Sequence, residues 1–135
     1  ADSQEASRLG IPPGARVFRF INCLSLGGEP VIVDEITLPE SLFTGLTEKR
    51  LRERPSTLYH FYQQTYGITV VRTEDRLRAA TANEFHTATL KLALGTPLLL
   101  IVRKALSFHD QAVEYRRSYV NTLNYEYFKE SVADA

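Results

Sequence analysis

Sixteen Lys and Arg balance sixteen Asp and Glu in a chain of 135 residues that is 44% apolar, which suits one globular domain of the soluble kind with a core of its own. Without a net basic field the chain is not expected to grip nucleic acid by itself, because neutralising phosphates takes a surplus of Lys and Arg. The single cysteine, Cys23, rules out an internal disulfide and fits a reducing compartment, the cytoplasm, with the thiol packed as a small hydrophobe. No run is long and apolar enough to span a membrane, so no membrane partner is expected.

Residues 1–9 are polar and aperiodic and read as a fraying end, with 1–10 a linker remnant and 11–135 the domain. Pro12-Pro13-Gly14 is a turn. Arg16 to Leu26 reads as a first strand with Phe18, Phe20, Leu24 and Leu26 on one face and Asn22 among them. Gly27-Gly28 makes a hairpin, and Val31 to Leu38 returns with Ile32, Ile36 and Leu38 on one face around Asp34. A carboxylate on an apolar face must find a partner, neutralise or touch water. Asp34 either lies solvated at a sheet edge or lines a polar pocket with Asn22. Glu48 to Arg54 is a charged, solvated face on a short helix or loop.

Pro55-Ser56-Thr57 opens a helix in which Leu58, Phe61, Tyr62, Thr65 and Tyr66 keep the helical period until Gly67. Its start is either an ordinary cap or an anion-holding end. Ile68 to Ala80 reads as a long strand with one polar face, its charges paired across strands. Thr81-Ala82-Asn83-Glu84 has the form of a capping box, followed by helical spacing of Phe85, Ala88, Thr89, Leu92 and Ala93 and a stop at Gly95. Leu98 to Arg103 suits a buried strand, His109-Asp110-Gln111 a turn, and Ala112 to Asn121 a strand with Glu114, Arg116 and Ser118 on one face. Tyr125 to Phe128 is a last short strand or a closing turn. The fold expected is α+β, an antiparallel sheet of about six strands with flanking helices.

Enzyme signatures are missing. His60, His86 and His109 are isolated, no Cys/His/carboxylate set has metal-ligand spacing, and no glycine loop of phosphate-binding type occurs. No cofactor, metal or catalytic residue is assigned.

The last third, with Leu94, Gly95, Pro97, Leu98, Leu99, Ile101, Arg103, Val113, Glu114, Tyr115 and Tyr125 in order, resembles the UTRA domain of GntR-type transcription regulators of the HutC subfamily, whose fold is that of chorismate lyase. The resemblance implies a non-enzymatic, effector-sensing, homodimeric domain. It also implies that DNA is bound only through a winged helix-turn-helix domain joined before residue 11 and not included here. Carried over on Gly28 and Pro30, the family's effector site falls on Asn22 and Leu24, where an arginine pair would stand, on Asp34, Thr57, Tyr59 and Glu114, and on Tyr119 or Val120 for a late aromatic. An amide and a leucine in place of two arginines withdraw the bidentate donors that a phosphate dianion needs. The effector expected is therefore a small carboxylate, an amino-acid derivative or a neutral polar metabolite rather than a sugar phosphate, with Phe18, Phe20 and Tyr59 as apolar wall. The alternative is a chorismate lyase-like enzyme acting on a small carboxylate, in which Arg76 or Arg78 would converge with Glu114. A dimerisation module with a vestigial cleft is a third reading.

Overall fold

A computed structural model of the chain describes residues 1–128; residues 129–135, the end of the expected domain, lie outside the described residues. The elements are α1 (Ser3–Leu9), β1 (Val17–Leu26), β2 (Glu29–Pro39), α2 (Glu48–Arg52), α3 (Leu58–Tyr66), β3 (Arg72–Thr81), α4 (Glu84–Leu90), β4 (Pro97–Leu106) and β5 (Ala112–Val120). The strands form one sheet in the order β1-β2-β5-β4-β3, and every neighbouring pair is antiparallel. Among the described residues five strands form rather than about six, because Tyr125–Phe128 adds no strand. That segment is tied back instead by the Tyr125 hydroxyl, 3.4 Å from the carbonyl of Leu26.

The β1–β2 hairpin turns on Gly27 and Gly28, with φ of 56° and 80°. Two consecutive positive φ values are what a tight hairpin with the right-handed twist of its strands requires, and glycine adopts them without a Cβ clash. Strand alternation then sends two sets of side chains to opposite faces. One face of the sheet meets α2 and α3 through Ile36, Leu38, Phe43, Leu46, Leu51, Leu58, Phe61 and Tyr62. Beneath α4 the other face gathers Val33, Ala82, Leu90, Leu98, Leu100 and Tyr119. β2 and β5 are central and buried on both faces, whereas β3 is an exposed edge. There the cross-strand ion pairs form as expected: Arg103 to Asp75 at 2.8 Å and Lys104 to Glu74 at 3.6 Å. Cys23, expected to pack inside, is exposed on the β1 edge.

Two local expectations are corrected. Residues 1–9 do not fray. Asp2 and Glu5 form a reciprocal capping box, Gly10 closes the helix in the left-handed region, and Ala6 and Leu9 are buried. A seven-residue helix has little stability of its own, so its tertiary contacts hold it. Chief among them is Glu5, 6% exposed, which accepts from Arg19 at 2.7 and 2.6 Å and from the Thr37 hydroxyl at 3.1 Å. In α4 the cap is Asn83, not Thr81, which is still the last residue of β3. The reciprocal partner is His86: its Nδ1 accepts from the Asn83 N–H at 3.2 Å, and its own N–H donates to Asn83 Oδ1 at 2.9 Å. The helix stops at Leu90 because Lys91 takes the left-handed conformation, and Gly95 serves the following turn, donating to the carbonyl of Ala82.

The hydrogen bonds from Arg19 hold the Glu5 carboxyl down at about 2 from an ordinary 4.5. The folded value lies below the unfolded one, so this stabilisation is complete above pH 4.5 and fades as pH falls toward about 2. Glu5→Gln is expected to lose about 1–2 kcal/mol at neutral pH, read from the urea midpoint, with a shallower decline in acid than the wild type. Burial lowers the pKa of His86 below its ordinary 6.5. Protonating Nδ1 would also displace the capping N–H of Asn83. The contribution of His86 to α4 is thus complete above pH 6.5 and is lost as pH falls through the lowered value. Melting temperature measured as pH drops should fall more for the wild type than for His86→Gln, which keeps a neutral acceptor.

Candidate functional site

The face of the sheet under α3 carries two carboxylates in its interior: Glu114 with 0% and Asp34 with 1% of its surface exposed. Buried charge is tolerated only where it is paired and hydrogen-bonded. Glu114 meets both conditions through Arg116, two residues along β5 and so on the same face. Nε lies 2.8 Å from Oε1 and Nη2 lies 2.9 Å from Oε2, a bidentate pair. From α3, the Tyr62 hydroxyl donates to Oε2 at 2.6 Å, with Tyr59 at 3.5 Å from Oε1. The Arg116 guanidinium also lies 5.2 Å from the centre of the Tyr59 ring. Burial works against the charge on Arg116, but Glu114 outweighs it and raises the pKa above the ordinary range. The Tyr62 hydroxyl is pushed well up by burial and then by the charge of Glu114, so it remains a donor.

Asp34 lies directly across from Ser118, whose hydroxyl donates to Oδ1 at 2.5 Å. Its second oxygen is held only at length, 3.5 Å from Asn22 Nδ2 and 3.8 Å from Arg116 Nη1. Asn22 in turn accepts at 3.1 Å from Arg54, which reaches in from the segment between α2 and α3 and also donates to the carbonyl of Leu51. Arg54 Nε and Ser56 Oγ are buried without a partner among the described residues. At the far side, Arg103 donates twice to Asp75, at 2.8 and 3.0 Å, and lies 3.4 Å from the Tyr59 hydroxyl. A cleft of about 530 Å³ opens beside this cluster between β1 and α2, walled by Phe18, Phe20, Leu46 and Leu51. Its lining stops one step along β1 short of Asn22.

Asn22, Asp34, Tyr59 and Glu114 therefore converge on one network. Asp34 sits on a central strand, which removes the solvated sheet-edge alternative. Thr57 is the cap of α3, accepting from the His60 N–H at 3.3 Å, and is exposed at the rim. Leu24 shares the strand face of Asn22 but is 46% exposed. Tyr119 does not join the network. Five residues beyond Glu114, an odd step, strand alternation turns it to the α4 side, where its ring lies 4.1 Å from that of His86. Arg76 and Arg78 are equally misplaced for the enzyme alternative. They neighbour Asp75 and Leu77, so they point to the sheet face opposite Glu114, two strands away.

Sequence reading put Arg116 and Ser118 on the face of Glu114 without assigning them to the site, and it passed over Tyr62, Arg103 and Arg54 as site residues. The first two were legible from their shared parity with Glu114. Tyr62 keeps the core period, and nothing in a charged run distinguishes Arg54 from its neighbours.

Among the described residues no group of His, Cys, Asp and Glu is placed to hold a metal ion, and no helix is long and apolar enough to cross a membrane. Residues 1–126 match the family model described as UTRA domain. The HTH-type transcriptional repressor PhnF of Mycolicibacterium smegmatis is 31% identical over 118 residues, covering 87% of this chain and 47% of the repressor. A repressor assigned to the fructoselysine utilization operon of Escherichia coli K12 is 26% identical over 106 residues, 78% of this chain and 43% of that protein. The chain thus spans about half the length of the curated relatives it matches. The ligand-binding domain assigned to a GntR-family transcriptional regulator of Bordetella bronchiseptica superposes with a TM-score of 0.92 at 28% identity, covering 98% of this chain and 83% of that one. The crystal structure of PhnF from Mycobacterium smegmatis superposes with a TM-score of 0.84 at 28% identity, covering 99% of this chain and 58% of that one. Both relatives are named as transcriptional repressors. By its match over almost the whole length, the chain belongs to the UTRA domain family, the effector-binding domains of GntR-family transcription regulators.

Proposed function

We propose that this chain is the effector-sensing and dimerisation part of a cytoplasmic regulator of the HutC subfamily, and that its effector is a small polar metabolite without phosphate. The effector class is a carboxylate, an amino-acid derivative or a neutral polar compound. A homodimer would set the spacing of two DNA-binding domains on an operator.

The observation that carries the effector class is where the positive charge goes. Arg116 is committed to Glu114 and Arg103 to Asp75. Arg54 alone in the network has no carboxylate partner among the described residues, and its Nε has no partner at all. One uncommitted guanidinium can hold one carboxylate, whereas a phosphate dianion calls for more charge-assisted donors. Opposite it, the loosely held oxygen of Asp34 offers an acceptor to an effector hydroxyl or amine.

The switching mechanism follows from the same contacts. Arg54, Thr57 and Tyr59 belong to α3 and the segment before it, while Asn22 and Asp34 belong to the β1–β2 hairpin. An effector bridging them binds the closed arrangement better than the open one, and that difference in affinity is what shifts the population.

Thermal-shift screening of this chain against metabolites tests the reading. An effector at about 100 times its Kd should stabilise the fold by about 2.7 kcal/mol. Asp34→Asn should weaken that effector about tenfold, the cost of one charge-assisted hydrogen bond. A hexosamine phosphate that binds more tightly than the free hexosamine would contradict the assignment, as would a panel in which nothing raises the melting temperature.

A further inference from the structure

The opposite face of the sheet holds a second hollow that the proposed effector site does not use. Between α1 and the strands β1, β2 and β5 lies a cavity of about 340 Å³, within the range of small-molecule pockets. Apart from Asp2 and Gln4 at the start of α1, its polar lining is Glu5, Arg19, Glu35, Thr37, Tyr115 and Arg117. Three of these groups are already engaged, since Glu5 takes two hydrogen bonds from Arg19 and one from Thr37.

The other three are not. Glu35 and Arg117 are direct cross-strand neighbours of opposite charge, yet among the described residues neither makes an ion pair. Arg117 leans instead over the ring of Tyr119, 5.6 Å from its centre, and its Nε is buried without a partner. The Tyr115 hydroxyl is also buried without a partner, on a side chain only 4% exposed. Native folds rarely leave such groups unsatisfied, because each costs free energy unless something else completes it. Arg117 can donate, Glu35, its direct cross-strand neighbour, can accept, and the Tyr115 hydroxyl belongs to the same lining. Their complement is a molecule with a carboxylate and an ammonium close together.

We propose that this cavity is a second ligand site that takes a small zwitterion of amino-acid size, its carboxylate on Arg117 and the Tyr115 hydroxyl and its ammonium on Glu35. The site rests on residues of the opposite face and stands or falls independently of the effector site around Asp34.

Titrating the ¹⁵N-labelled chain with the standard L-amino acids, one at a time, reads both faces through amide shifts. The expected result is at least one amino acid that moves the amides of Glu35, Thr37, Tyr115 and Arg117 together. Glu35→Gln and Arg117→Gln should each weaken it about tenfold, and Glu35→Gln should do so without lowering the melting temperature, because that carboxylate has no ion-pair partner among the described residues to lose, whereas Arg117→Gln also gives up the contact with the Tyr119 ring. Tyr115→Phe should weaken binding several-fold while leaving stability unchanged or raised, since its hydroxyl satisfies nothing inside the fold. The proposal is overturned if no amino acid shifts these amides at millimolar concentration. Shifts confined to the Asp34 and Glu114 face would also overturn it, as would sedimentation and amide protection showing that a second copy of the chain fills this face.

Discussion

The pairing of Glu114 with Arg116 is the contact on which the helical layer over the sheet depends. A carboxylate with no exposed surface cannot be hydrated, so the chain must supply what water would. Strand alternation supplies the cation locally, two residues along β5, and the remaining demand is met from α3 by the Tyr62 hydroxyl. That one hydrogen bond fixes the rotation of α3 about its axis. With Tyr62 pointing down at Glu114, Leu58 and Phe61 enter the core and Tyr59 comes to lie over Arg116. The helix start, with Thr57 at its cap and Arg54 just before it, is thereby carried to the mouth of the Asn22 and Asp34 cluster. A buried pair of this kind is an indifferent source of stability but a strong source of register, because removing either partner strands the other.

The same strands serve two chemistries. β2 and β5 are covered on both sides, and successive residues alternate between the acid-rich network under α3 and the α1 side, where Glu5 joins Arg19 and Thr37. Asp34 and Glu35 are adjacent in the chain and point to opposite faces of the sheet, as do Arg116 and Arg117, and of the four Glu35 and Arg117 line the α1-side cavity. The charges under α3 are thus largely neutralised internally, while on the α1 side Glu35 and Arg117 make no ion pair and the Tyr115 hydroxyl no hydrogen bond among the described residues.

Much of this was legible in the residues. Period-two alternation located β1, β2 and β5, a short continuous apolar run located β4, Gly27-Gly28 located the hairpin, and Thr57 and Gly67 bracketed α3. Asn22 and Asp34 stood out as polar residues on apolar strand faces, Glu114 was brought forward by a resemblance, and their convergence follows from the register of β1, β2 and β5. Tyr119 was misassigned against a signal that was present, the odd spacing from Glu114. α1 went unread for a different reason: a helix of two turns has too few residues for a period, and its anchor, Arg19, lies fourteen residues away from Glu5. The capping box of α4 slipped by two residues because Thr81 and Asn83 are both good caps, and the choice fell to the one whose partner, His86, packs against Tyr119.

By itself, then, the sequence determined the strands, the hairpin, both ends of α3 and the family, because those rest on local steric preference and on patterning that repeats within a few residues. Only the tertiary structure decided which charges are spent. Whether Arg116, Arg103, Arg54 or Arg117 is free to meet a ligand depends on Glu114, Asp75, Asn22 and Glu35, and most of these partners arrive from other strands. Coulomb pairing acts through space at a few ångströms, and where the partner lies on another strand no spacing along the chain encodes it.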